Sequence, residues 1–304
     1  MRRREFIAGL GGAAAWPFVG RAQQPGGMRH IGFLTVLAES DPEGQAWNRE
    51  LMQGLQELGW VNGRSVRIDF RFSGGGGGDA AHLLPLAAEL IELRPDMIFA
   101  VGSNAAVALR QQTLSIPIVF VNIADPVGQG FVTNLARPEG NITGFSTIEF
   151  SVGGKWLQLL RECVPGVSAV AVVFDPNISS WAPYLRSIEA AAPTFGIRLT
   201  PALMRGAAEI QQRIAAFARE PNGALVVIPS PIVVQYPQSI IAAAAQYRLP
   251  AVYPFRLFTA NGGLMSYGVD VPDIYRRAAS YVDRILRGRS PLTCRCRPRP
   301  NMNW

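Results

Sequence analysis

The sequence predicts an α/β fold made of two doubly wound parallel-sheet lobes joined by a hinge of several crossovers. Three observations predict it. Continuously apolar runs rich in β-formers recur, such as "DMIFAVG" at 96–102, "IPIVFVN" at 116–122 and "GALVVIPS" at 223–230. Single helical stretches separate them. The alternation then restarts after "NITGFST" at 141–147, giving a second unit of similar size. Strands that are apolar on both faces belong to parallel sheets covered by helices on both sides.

The elements follow in order. "HIGFLTVL" at 30–37 is a buried strand, and "EGQAWNRELMQGLQELG" at 43–59 spaces Trp47, Leu51, Leu55 and Leu58 as a helix that stops at Gly59. "SVRIDFRF" at 65–72 alternates as a half-buried strand, and "AHLLPLAAELIEL" at 81–93 is helical. After the 96–102 strand comes the helix 103–113, for which Ser103 or Asn104 is a plausible N-cap. In the second unit "KWLQLLREC" is helical, "SAVAVVFD" at 168–175 is a strand, and "SSWAPYLRSIEAAAPTFG" at 179–196 is a helix closing at Gly196. "IRLTPALM", the 223–230 run, "PAVYPF" and "GGLMSYGVD" read as further strands. "AAEIQQRIAAFARE", "QSIIAAAAQYRL" and "DIYRRAASYVDRILRG" at 273–288 read as helices. The glycine run in "SGGGGGD" at 73–79 lacks the spacing and lysine of a phosphate loop and reads as a surface loop.

Composition narrows the function classes. The chain has 304 residues, is 48% hydrophobic and carries a net charge of +7. That charge is not spread over the fold. Residues 1–22 carry +3 and residues 289–304 carry +4, which leaves the body neutral, so a nucleic-acid partner is not expected. Residues 1–22 read as an export signal: Arg2, Arg3 and Arg4 precede a weakly apolar run, and Gly20 and Ala22 are small residues at a cleavage site. Arg-Arg before Glu5-Phe6-Ile7 resembles a twin-arginine motif. The expected location is the periplasm, with the mature chain beginning near Gln23 and working as a monomer. Cys163, the one cysteine of the body, is expected to be buried packing.

In open parallel sheets, ligands sit at the carboxyl ends of the strands, against helix N-termini. The residues after the strands here are small hydroxyls, amides, carboxylates and aromatics, which suit a small polar or aromatic molecule. No catalytic constellation accompanies them. His30 and His82 have no metal-ligand spacing around them, and Asp125, Asp175 and Asp270 are isolated carboxylates. Neither a metal nor a cofactor is expected. The rival reading, a hydrolase-like enzyme on a doubly wound scaffold, lacks a nucleophile–base pair. A two-lobed transcription regulator would need a helix-turn-helix where residues 1–28 hold the export signal.

Gly59-Trp60 with Gly63, Asp125-Pro126 with Gly130, and Met265-Ser266-Tyr267-Gly268 together carry a resemblance that runs from residue 1 to about 289. The chain resembles the substrate-binding proteins of ABC-type transporters with the periplasmic binding protein type 1 fold, in the branch that includes tryptophan- and tyrosine-binding components. The resemblance implies a hinged receptor that closes on a small-molecule solute and docks on a membrane permease. It implies a first lobe of 29–146 plus 270–288 and a second of 147–269. It places the ligand contacts in the cleft between them, on Ser40, Ser103, Asn104, Asp125, Asn177, Ser230, Phe255 and Tyr267. Aromatics would stack there, and amides and hydroxyls would hold a carboxylate and an amine.

The tail "RSPLTCRCRPRPNMNW" at 289–304 departs from that family. Its relatives continue after the last helix with a segment like Lys-Pro-Ala-Asp-Leu-Pro-Val-Gln and end in a Tyr/Phe-Glu-Leu strand. Any coding sequence for Asn301-Met302-Asn303-Trp304, read from the third base, gives His or Tyr, then Glu, then Leu. The tail therefore reads as a frameshifted, disordered ending whose cysteines and arginines are accidental. A final strand that would pair with the second lobe's sheet is expected to be missing, leaving an open edge.

Overall fold

The computed structural model describes residues 27–296 apart from 75–79, 137, 139 and 179. The expected export signal, most of the glycine run and residues 297–304 of the tail lie outside that set. Two five-stranded sheets form the frame, and every strand pairing in both is parallel.

The first sheet holds β1 (Arg29–Thr35), β2 (Val66–Phe72), β3 (Met97–Val101), β4 (Ile118–Ile123) and β5 (Ile142–Ser146), in the order β2-β1-β3-β4-β5. The second holds β6 (Ala169–Phe174), β7 (Arg198–Leu203), β8 (Gly223–Val227), β9 (Ala251–Tyr253) and β10 (Met265–Ser266), in the order β10-β9-β8-β6-β7. Read from its β7 edge, the second sheet repeats the order of the first. The doubly wound α/β architecture is thus present twice. The apolar runs explain it: β3, β6 and β8 are buried at every position, as strands with helices on both faces must be.

Helices α1 (Pro42–Glu57), α2 (Ala80–Glu92) and α3 (Ser103–Gln112) belong with the first sheet. Helices α4 (Val152–Cys163), α5 (Trp181–Phe195), α6 (Ala207–Phe217), α7 (Pro231–Gln235), α8 (Pro237–Gln246) and α9 (Arg256–Ala260) lie with the second. Helix α10 (Val271–Leu286) returns to the first sheet, packing on α1 and β4. Gly54 sets how closely those two helices approach, because a Cβ there would lie 2.9 Å from the Cβ of Ala279. The chain therefore crosses between the sheets at residues 147–151 and again at 267–270. The two crossings touch: a Cβ on Gly268 would sit 1.8 Å from the Pro254 carbonyl oxygen and 3.3 Å from Ile148.

Two sequence expectations are corrected. Cys163 is exposed rather than buried: it shares a helix face with Trp156 and Leu160 but is the last residue of α4. Neither Ser103 nor Asn104 caps α3; Gly102 precedes the helix, with no side-chain cap. In the described part of the tail, residues 289–296, Cys294 and Cys296 are buried and most of the others are exposed. The segment forms a 3-10 turn at Pro291–Thr293 and then runs beside β5 of the first sheet, not beside the second. Cys294 and Cys296 are buried at 0% and 2% exposure while Arg295 between them is exposed. That alternation suits the border of a sheet whatever its origin. The Thr143 hydroxyl donates to the Cys294 carbonyl at 2.6 Å, and the Tyr281 hydroxyl donates to the Arg295 carbonyl. Burial pushes the Cys296 thiol up, which keeps it protonated and unreactive.

Candidate functional site: a cleft at two facing switch points

In each sheet the strand order reverses at one place, between β1 and β3 in the first and between β6 and β8 in the second. The loops leaving those strands diverge and open a crevice at the carboxyl ends. Here the two crevices face each other. A cleft holding about 670 Å³ of empty space, solvent-open part included, is lined by Val36 and Leu37 after β1 and by Gly102, Ser103 and Asn104 after β3. From the other side come Ile178 and Ser180 after β6, and Pro229, Ser230 and Pro231 after β8. Asn122, Thr147 and Phe255 complete the wall from the ends of β4, β5 and β9.

Local chemistry fixes these loops. Asp41 caps α1 by accepting from the Gly44 amide at 2.8 Å, which sets the helix that carries Trp47 into the cleft. Trp47 is 3% exposed and meets Phe255 edge-on, with ring centroids 6.4 Å apart. Gly102 has φ 90, and a Cβ would come within 2.8 Å of Val36, so only glycine fits between β3 and α3. Beyond β6 the Asn177 amide donates to Asp175 Oδ1 at 2.9 Å, turning the chain toward Ser180. Tyr184 on α5 lines the cleft, and its hydroxyl donates to the Ile148 carbonyl at 3.3 Å. Burial, with Asp125 adding a smaller effect, pushes that phenol far up, so it stays a neutral donor.

Of the residues marked in the sequence, Ser103, Asn104, Ser230 and Phe255 line this cleft. Ser103 Oγ accepts from Gln129 at 3.1 Å, and Ser230 Oγ accepts from the Val233 amide at 3.4 Å as the cap of α7. Asn104 is 4% exposed, and its amide donates across the cleft to the Asn177 carbonyl at 3.0 Å. Asn177 itself is exposed and enters through that carbonyl. The others lie outside the lining. Ser40 is exposed in the loop before α1. Asp125 has φ 37 and holds a turn by accepting from the Gly128 amide at 2.9 Å. Tyr267 sits at the second crossing, where its carbonyl accepts from Trp156 Nε1 at 2.9 Å.

Sequence reasoning missed Trp47, Thr147, Ser180 and Tyr184 as lining residues. Trp47 and Tyr184 sit at core positions of amphipathic helices, a pattern that reads as packing. Ser180 and Thr147 carried a signal, being hydroxyls within a few residues of a strand end. Among the described residues no acid–base pair lines the cleft. The His30–Asp69 pair, at 2.5 Å, joins the amino end of β1 to the middle of β2, and neither residue lines the cleft. Among the described residues no cluster of three His, Cys, Asp or Glu could hold a metal ion.

Two doubly wound lobes with facing strand ends and a cleft between them define a two-lobed ligand-binding architecture. A family model described as ABC transporter substrate binding protein matches residues 39–297, and the chain belongs to that family, whose members are binding proteins and not enzymes. The chain is 22% identical over 245 residues to a tyrosine-binding protein of Clostridioides difficile (strain R20291), covering 79% of this chain and 68% of that one. A conserved domain protein from Vibrio cholerae superposes with a TM-score of 0.82 at 25% identity, covering 91% of this chain and 90% of that one. An ABC domain in complex with L-Trp from Streptococcus pneumonia superposes with a TM-score of 0.78 at 20% identity, covering 89% of each.

Proposed function

We propose that this protein is the extracytoplasmic solute-binding component of an ABC-type importer. It closes its two lobes around an aromatic amino acid or similar small solute and delivers it to a membrane permease. The observation that carries this reading is the cleft where the switch points of both sheets meet, lined by Trp47, Tyr184 and Phe255 and bridged by the Asn104–Asn177 bond. Aromatic walls supply stacking area, and the amides and hydroxyls at the strand ends fix orientation. The names of the tyrosine-binding relative and the L-Trp complex support an aromatic solute. Among the described residues no helix is long and apolar enough to cross a membrane.

In this reading Ser103, Asn104, Ser230 and Phe255 touch the solute directly. Ser40, Asp125, Asn177 and Tyr267 border it from the loops that move on closing. A thermal-shift panel of amino acids, nucleosides, sugars and aromatic acids tests the assignment. A true solute at a hundred times its Kd adds about 2.7 kcal/mol of stability. Replacing Ser103, Asn104 and Ser230 together by Ala should abolish that shift. A panel without any stabilising solute would overturn the function, and a shift that survives the triple replacement would overturn the site.

A further inference from the structure

Each crossing changes hands between the lobes within a few residues. In the first, the Thr147 amide donates to the Ile123 carbonyl at the end of β4, which ties it to the first sheet. At the next residue, the Ile148 carbonyl accepts from the Tyr184 hydroxyl of α5 at 3.3 Å, which ties it to the second lobe. In the second crossing, Tyr267 belongs to the second lobe. Its amide donates to the Tyr253 carbonyl at 2.9 Å, and its own carbonyl accepts from Trp156 Nε1 of α4 at 2.9 Å. Further on, Asp270 caps α10 by accepting from the Asp273 amide at 3.1 Å, and α10 packs on the first sheet. Backbone that leaves a sheet loses its ladder partners, so a carbonyl there needs a donor from elsewhere. Tyr184 and Trp156, both buried, are those donors. They form one unit. Their rings lie 5.8 Å apart, and Phe150 of the first crossing meets Tyr184 edge-on at 4.9 Å. Gly153 lets α4 and α5 close on each other, because a Cβ there would come within 2.7 Å of Ile188.

Resting on the solute-binding reading above, we infer that Tyr184 and Trp156 are positioning residues. They fasten both crossings to the second lobe and confine the hinge to Thr147–Ile148 and Gly268–Val269. Those are the places where the hold passes from one lobe to the other, and they lie side by side: a Cβ on Gly268 would sit 3.3 Å from Ile148. A hinge needs only a few backbone torsions between bodies that stay rigid. Two short adjacent pivots define one axis, whereas crossings free along 147–151 and 267–270 would let the lobes slide and twist as well. Thr147 and Tyr184 both line the cleft, so one wall from each side of the axis turns as the lobes close. Confining the motion to one path leaves less freedom to lose when a solute holds the lobes together. Affinity rises in this way without a further contact to the solute.

Interlobe distances measured by pulsed electron spin resonance on the full chain test this. Cys163 is exposed on the second lobe while Cys294 and Cys296 are buried, so Gln56→Cys at an exposed position of α1 supplies the second label. The unliganded parent should show one narrow distance distribution. Tyr184→Phe keeps the ring and removes the hydroxyl, and should broaden that distribution. Trp156→Phe removes the donor at the other crossing and should broaden it too. Each variant is read well below its own unfolding midpoint. A merely structural role would lower that midpoint and leave the distribution narrow. A parent that is already broad, or two variants as narrow as the parent, would overturn the inference. Where the parent takes up a solute, Tyr184→Phe should weaken it about five-fold, the factor that one lost hydrogen bond gives. A parent that binds no solute would overturn the function, while the unliganded distances would still decide the hinge.

Discussion

Asp175 shows how a single side chain is spent on shaping the cleft loop. It is fully buried at the end of β6, accepts the Asn177 amide on one oxygen and has no partner on the other. Burial pushes its carboxyl above the usual carboxylate range, and the backbone and side-chain bonds from Asn177 oppose that. A folded-state pKa above the unfolded one favours the fold only where the group is protonated. That contribution is complete below the ordinary carboxylate value and is lost as pH rises through the folded value. Asp175→Asn keeps an acceptor for the Asn177 amide and removes the buried charge. It should therefore be more stable than the parent at pH 7, by about 1 kcal/mol, with the gap closing toward pH 4. Denaturant melts of both proteins at the two pH values measure this, and a gap that ignores pH would show that burial is not what perturbs Asp175.

At the scale of elements, the last described segment behaves as part of the first lobe. Thr143 is fully buried on β5, and its hydroxyl is satisfied by the Cys294 carbonyl. Ending the chain at Gly288 would strip that partner and uncover the β5 border, where Cys294 and Cys296 are packed. The expected loss is about 2–4 kcal/mol, seen as a lower unfolding midpoint, while Arg295→Ala at an exposed position should change little. A truncated chain with an unchanged midpoint would show the segment to be dispensable. Most long elements were legible because their periodicity survives without tertiary information. The failures have physical causes. Strand β5 was hidden because Thr143 and Gly144 interrupt its apolar run; Gly144 is there because a Cβ would lie 2.1 Å from the Phe120 carbonyl oxygen. Helices α7 and α9 are five residues each, too short to show a period. The strand ends were legible as ligand territory, but the strand order was not. Without it Ser40 and Asn177 weighed as much as Ser103, and Ser180 and Thr147 were passed over.

The whole molecule is two sheets joined by two crossings that approach each other at Ile148 and Gly268, beside a cleft spanned by the Asn104–Asn177 bond. In the proposed reading the lobes open about these crossings, and the bonds that span the cleft bias that equilibrium. The Asn104–Asn177 bond is one of these. A net value of about 1 kcal/mol for it corresponds to about a five-fold bias toward the closed form. Asn104→Ala should therefore open the unliganded protein, raising its radius of gyration in small-angle scattering, and should speed release of a bound solute. Its unfolding midpoint should hardly change, because each sheet keeps its own core. Loss of a solute contact alone would also weaken binding, but it would leave the unliganded radius where it was. The radius therefore decides whether Asn104 acts between the lobes or only on the solute.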